Sequence, residues 1–316
     1  MFENIEFKGL DAIKYSNEFV ELIIIPSYGG KLASMKSKLS KREFLFQSKE
    51  DKLKIPTYAS SFSAYDSSGF DEVFPTIDAC PYPDGLNKNK LVPDHGEVWA
   101  MPWNYQIEEN TIKLWVESKN FSYILEKQIK LEKNSVNFTY TLKNLSENDN
   151  FKFIWTPHAL LNGNESTKII VPKYLDKIIS VEHSSQHLGS WGSIHSYPLT
   201  KSIKTNNILD LSKLEDKSTN NCEKFYFLDK LKENDYCGVD YTDTKEKLIY
   251  KYDVKKIPYL GVWKTHGGYR GDYNFAIEPC TGIYDDLYLA SKIKKVPIVE
   301  AGASYNWDFI MEIINY

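Results

Sequence analysis

Arginine is almost missing from this chain. Only Arg42 and Arg270 interrupt a basic complement that is otherwise lysine. Guanidinium is the usual bidentate clamp for phosphate and carboxylate groups, so its scarcity disfavours a phosphorylated substrate. Basic charge is also in deficit, with 39 basic against 43 acidic residues and a net charge of −4. Such a balance gives no electrostatic case for nucleic acid or an anionic membrane surface as partner. The four cysteines, Cys80, Cys222, Cys237 and Cys280, are far apart and form no C-x-x-C pair, which excludes zinc-ribbon and thioredoxin chemistry. The apolar run Leu22 to Ile25 is too short to span a bilayer, and no basic stretch followed by an apolar one opens the chain. A reduced cytoplasmic protein with free thiols is the expectation. Neither a glycine-rich phosphate cradle nor a Gly-x-Ser-x-Gly nucleophile turn occurs.

What is abundant is strand signal. Aromatic residues make up 14% of the 316 residues, with 22 tyrosines and 7 tryptophans, and strands favour such side chains. Val136, Phe138, Tyr140 and Leu142 alternate with polar residues, as do Ile112, Leu114 and Val116, and Tyr305, Trp307, Phe309, Met311 and Ile313. Period-two alternation predicts strands with one buried face. Turn clusters such as Tyr28-Gly-Gly30 and Glu147-Asn-Asp-Asn150 separate these runs. Long amphipathic helices are absent; only Ser48 to Lys54 and part of Leu209 to Leu214 suggest a helical turn or two. Strands without intervening helices predict an all-β antiparallel sandwich, here a single domain over 1–316. The polar segment Lys201 to Asn221 is expected to be an exposed insertion.

Three side chains carry chemistry. His95 follows Pro93-Asp94 in a turn-like setting, and His158 follows Trp155-Thr-Pro157 at the end of an apolar strand. Glu278 follows the apolar run Phe275-Ala-Ile277 and precedes Pro279, so it either emerges at a strand end or is desolvated. A half-buried carboxylate has a raised pKa that suits a base working near neutrality. The plainer alternatives are backbone-bonded histidines and a surface glutamate. His183, His187 and His195 suggest a metal site only if helical, and their Ser/Gly-rich surroundings argue against it. His266 reads as a loop residue.

In order and spacing, the motifs resemble the aldose 1-epimerases, the galactose mutarotase-like proteins, over nearly the whole chain. The similar segments are Glu21 to Leu32, Gly69-Phe-Asp-Glu-Val-Phe-Pro-Thr-Ile77, Asp94-His-Gly-Glu-Val-Trp99, Thr156-Pro-His-Ala159, Leu260-Gly-Val-Trp263, Ala276-Ile-Glu-Pro279 and Glu300 to Trp307. The resemblance implies an antiparallel β-supersandwich with an open cleft and a cofactor-free mechanism on a small-molecule sugar. Glu278 is then the base at the anomeric hydroxyl, His158 the acid at the ring oxygen, and His95 a hydrogen-bonding partner of the sugar. Asp71, Glu72, Trp99 and Trp263 are expected to line the pocket. Asp71 and Glu72 stand where better-studied members carry an arginine, and Lys224 stands in for a pocket aspartate. An acidic wall suits a neutral or amino-bearing sugar. Two other readings are a non-catalytic carbohydrate-binding protein on the same sandwich and a cupin-like metalloenzyme; the latter lacks a His-x-His pair. Oligomeric state is open, a homodimer included.

Overall fold

The computed structural model describes residues 1–182 and 186–316. The alternating runs read from the sequence pair with one another in register. Val136 lies opposite Met311, Phe138 opposite Phe309 and Tyr140 opposite Trp307, while Leu125 pairs with Leu142 and Ile129 with Phe138. All of these side chains are buried. Strands Ser135–Asn144 and Ser304–Asn315 are thus the centre of an antiparallel eight-stranded sheet.

Against it pack two further antiparallel sheets. One runs Phe2–Phe7, Leu10–Ser16, Val20–Ile25, Lys31–Ser37, Phe70–Val73, Thr156–Ala159 in spatial order; the other runs Ile194–Ser196, Lys177–Ser180, Asn221–Phe227, Tyr259–His266, Tyr273–Cys280. Their edge strands, Thr156–Ala159 and Tyr273–Cys280, lie side by side. Thr281 N donates to Trp155 O at one end (3.0 Å) and Leu161 N to Phe275 O at the other (2.7 Å). Between these pairs the register sets Pro157 opposite Pro279. Neither proline has an N–H to give, so the ladder lapses there and two sheets meet at an open seam.

The inner layer is aromatic, with Phe70 5.6 Å from Phe138 and Trp155 5.4 Å from Trp307, centroid to centroid. Burying each such ring contributes about 1.5–3 kcal/mol. The one α-helix among the described residues is Leu287–Lys292, N-capped by Asp286. Ser48 to Lys54 and Leu209 to Leu214 form no helix. The Lys201 to Asn221 segment is less exposed than expected. It begins in a hairpin of Leu199–Lys201 with Ile208–Asp210, and Leu211 and Leu214 are then buried as apolar anchors. Lys264 Nζ holds it by donating to the carbonyls of Leu211 and Lys213 at 3.1 and 3.2 Å. No helix among the described residues is long and apolar enough to cross a membrane.

Glu72 lies wholly buried between the sheets. It accepts from Lys127 Nζ (2.9 Å), Tyr140 OH (2.8 Å) and Trp155 Nε1 (2.8 Å). Removing one partner of a buried ion pair leaves the other uncompensated, so Glu72→Ala is expected to cost about 3–5 kcal/mol. Urea unfolding measures this; a loss below about 1 kcal/mol, the surface-pair value, would show that the pair is not a structural tie.

Candidate active site

The seam determines which side chains meet. Three residues in from each hydrogen-bonded end, His158 stands opposite Glu278 on the face turned away from the eight-stranded sheet. On the other flank of Thr156–Ala159, His158 pairs with Asp71. Glu278 pairs with Gly261, and Gly261 with Tyr226. One transverse row therefore reads Asp71, His158, Glu278, Gly261, Tyr226. A Cβ on Gly261 would lie 3.1 Å from the Tyr226 ring and 3.5 Å from Glu278 Oε2; its missing side chain lets the neighbours converge.

Above this row opens a cavity of about 260 Å³ lined by His158, Glu278, His95, Lys224, Trp263, Asp78, Asp94, Asp285, Phe62, Tyr269 and Asn274, among others. Its size is close to the small end of ligand sites, roughly 300–1,000 Å³. Glu278 is fully buried, and burial pushes its carboxyl above the usual 4.5; Lys224 pulls it back, while Asp285 raises it. Lys224 Nζ lies 3.3 Å from Glu278 Oε2 and 3.2 Å from Asp285 Oδ1, but Glu278 accepts no well-aligned hydrogen bond. Burial disfavours the Lys224 ammonium, yet Asp285 and Glu278 outweigh it and hold the ammonium charged. Asp285 also accepts from Tyr226 OH at 2.5 Å. Asp78, at the rim, is raised by burial and by Asp285.

His158 is held well below the usual histidine range, first by burial and then by the charges of His95, Lys224 and Lys31. Its imidazole is therefore neutral near pH 7. Its Nδ1 is buried without a hydrogen-bond partner. His95 comes in from a loop, with a backbone φ of 57°. Asp94 Oδ1 lies 2.7 Å from its Nδ1, and Phe62 stacks on its ring at 4.0 Å and 3°. The two imidazoles stand 5.3 Å apart, edge to face.

The Asp94-His-Gly-Glu-Val-Trp99 segment has a structural reason at each position. Asp94 Oδ2 also accepts from Phe62 N (2.8 Å), fixing the ring that packs between the histidines. Gly96 has φ 75°, and a Cβ there would sit 1.8 Å from Phe74 O. Glu97 anchors the loop to Tyr58 and Tyr123 through their hydroxyls (2.7 and 2.6 Å). Trp99 is buried below, donating to Asp94 O at 3.0 Å, and braces Phe62 edge-on rather than lining the cavity.

Asp71 and Glu72 also do not line the cavity, contrary to the expectation of an acidic wall there. Successive strand residues face opposite ways, so the two cannot share a pocket. Glu72 points into the inter-sheet core, while Asp71 lies under the cleft floor, paired with Lys31 at 2.7 Å. Lys224 and Trp263 do line the cavity, Trp263 edge-on to Tyr269. His187 and His195 are used up on protein partners, Ser202 for the first, Thr200 and the Leu188 carbonyl for the second. His183 lies outside the described residues. His266 is no loop residue: it ends strand Tyr259–His266, buried 3.5 Å from Glu215. Cavity residues that the sequence reading missed are Asp78, Asp285, Phe62, Tyr269 and Asn274. Asn274 was accessible by alternation, being four residues before Glu278 on one strand face; Phe62 arrives on the short 3-10 helix Phe62–Ala64, and Tyr269 and the two aspartates arrive on loops.

Solved structures share this architecture. A galactose mutarotase related enzyme from Lactobacillus acidophilus matches with TM-score 0.69 and 15% identity over 96% of this chain and 97% of that one. A galactose mutarotase-like protein from Clostridium acetobutylicum matches with TM-score 0.65 and 15% identity over 100% and 99%. Another from Lactobacillus casei gives 0.59 and 15% over 96% and 100%. The chain therefore has the galactose mutarotase-like fold, an all-β antiparallel supersandwich. No protein-family model and no curated protein matches it.

Because Lys224 pulls the Glu278 carboxyl down, Lys224→Met is expected to raise its pKa further. Carboxyl-carbon NMR titration of Glu278 measures the shift; an unchanged or lower midpoint would mean that Lys224 does not control this acid.

Proposed function

We propose that the chain is a cofactor-independent aldose 1-epimerase that interconverts the α and β anomers of a free sugar. The observation that carries this reading is the opposition of a buried carboxylate, Glu278, and a buried neutral imidazole, His158, across the open seam under one small cavity. A hemiacetal carbon bears two oxygens, and ring opening requires a proton to leave one and reach the other. Glu278 takes the proton from the anomeric hydroxyl, and the O–H electron pair becomes the carbonyl π bond. The ring C–O bond breaks, and its oxygen takes a proton from His158. Rotation about C1–C2 presents the other carbonyl face, and the transfers run backward to close the ring. His95, its Nδ1 held by Asp94, offers Nε2 to the ring oxygen or an adjacent hydroxyl. Trp263 and Phe62 supply apolar surface for the sugar ring.

The charge inventory bears on the substrate. Lys224 is spent on two carboxylates, and Asp78, Asp94, Asp285 and Glu278 all face the cavity. Among the described residues a phosphate finds no uncommitted cation there, so a neutral or amine-bearing aldose is the substrate class.

Fresh α-aldoses, amino sugars included, are expected to relax faster to anomeric equilibrium with the protein present, followed by polarimetry or NMR. Glu278→Gln and His158→Asn are each expected to lower kcat by about 10²-fold or more, the usual worth of a general acid or base. Folded variants that retain full rate would remove these roles. Sugar binding without acceleration by the unaltered protein would instead indicate a carbohydrate-binding protein.

A further inference from the structure

Two neighbouring residues of the row each keep a buried polar atom without a hydrogen-bond partner, Nδ1 of His158 and Oδ1 of Asp71. The residues are a registered cross-strand pair on one face. Such pairs bring Cβ atoms to roughly 4.5–5.5 Å, within reach of a carboxyl–imidazole hydrogen bond. The other Asp71 oxygen, Oδ2, is held 2.7 Å from Lys31 Nζ, which also donates to the Ser68 carbonyl at 2.5 Å. Both side chains of that ion pair are fully buried. A buried polar atom left unmatched is costly, so two on paired residues call for a joint explanation.

We infer that Asp71 is a positioning residue that acts through His158, donating a proton to Nδ1 so that the neutral imidazole can release its Nε2 proton into the cavity. This rests on the mutarotase reading and addresses its weakest step. A neutral imidazole that gave up its only N–H unaided would become an imidazolate, a far poorer outcome than any carboxylate. With Asp71 protonated, the balance closes. The breaking ring C–O bond leaves its electron pair on oxygen, which takes the Nε2 proton. Nδ1 takes the Asp71 proton, and Lys31 neutralises the carboxylate that results. Ring closure reverses each transfer and consumes nothing.

The surroundings keep a protonated Asp71 carboxyl populated near pH 6. Burial pushes Asp71 up to about 6, with Lys31 pulling down and Asp66 pushing up. The titratable groups facing it are Lys31, Asp66 and Tyr28 from the first sheet and its loops, His95 from the cavity loop, and His158 from the paired strand. Geometry carries the assignment: Glu72, the next residue along, points the opposite way and has three donors of its own.

The test uses two readouts on the full chain. ¹⁵N NMR of the unaltered protein is expected to show His158 as the Nε2–H tautomer, with Nδ1 accepting. In Asp71→Asn the amide can still donate to Nδ1 but cannot give up a proton. That variant is expected to keep the tautomer, lose about 10²-fold in kcat and hold KM within about twofold. Lys31→Met combined with Asp71→Asn removes the buried lysine together with its carboxyl partner and guards against unfolding by an unpaired lysine; it is expected to show the same kcat loss. A folded variant with unaltered kcat, or a wild-type His158 protonated on Nδ1, overturns the inference. A chain inactive on every aldose sinks the mutarotase reading alone, and the tautomer then decides the coupling by itself.

Discussion

The structure turns on a pair of facing prolines. Pro157 directly precedes His158 and Pro279 directly follows Glu278, and in the fold the two prolines oppose each other across the junction of two sheets. A continuous ladder there would draw the strands into ordinary pairing. With both N–H groups missing, the backbone stays aligned by the hydrogen bonds at either end, and the centre opens. The hydrogen bonds at either end thus fix the register that places His158 opposite Glu278, and the prolines open the seam between them. Loop residues complete the cavity, but the separation of His158 and Glu278 is set by strands, the more rigid choice for a site.

Charge along the row is balanced locally. Lys31 sits at one end against Asp71 and Lys224 at the other against Glu278 and Asp285. Each lysine is desolvated, and a buried ammonium persists only where carboxylates outweigh that cost. Between the two cations stands an imidazole that burial and like charge keep neutral. Such an arrangement favours moving one proton in and one out over holding a net charge. A bound anion would upset it, in keeping with the near absence of arginine from the whole chain.

Much of this was legible in the chain before folding. The stripes Val136 to Leu142 and Tyr305 to Ile313 gave sheet and burial because period two depends on nothing but neighbours. Glu278 could be singled out because a carboxylate after Phe275-Ala-Ile277 must be either desolvated or at an edge. Asp71 and Glu72 were misplaced as a pair, although the same period-two rule sends adjacent side chains to opposite faces. Asp285, Asp78 and Tyr269 were invisible for a different reason. They reach the cavity on loops whose course is set by tertiary contacts, and no local pattern encodes that. The polar stretch Lys201 to Asn221 looked solvated since its two anchors, Leu211 and Leu214, are isolated among charged residues.

Two glutamates show how satisfied and unsatisfied burial separate structure from chemistry. Glu72 and Glu278 are equally hidden from solvent. Glu72 is saturated by a lysine, a tyrosine and a tryptophan, and so works as a tie between sheets. Glu278 has one lysine at 3.3 Å and no aligned donor. Asn274 Oδ1, His158 Nδ1 and Asp71 Oδ1 share that condition, and so do atoms of residues outside the cavity lining, Glu246 and Trp307 among them. Unmatched polar groups scattered through a core would only weaken a fold. Those of Glu278 and Asn274 border the cavity, where donors of a bound molecule would match them.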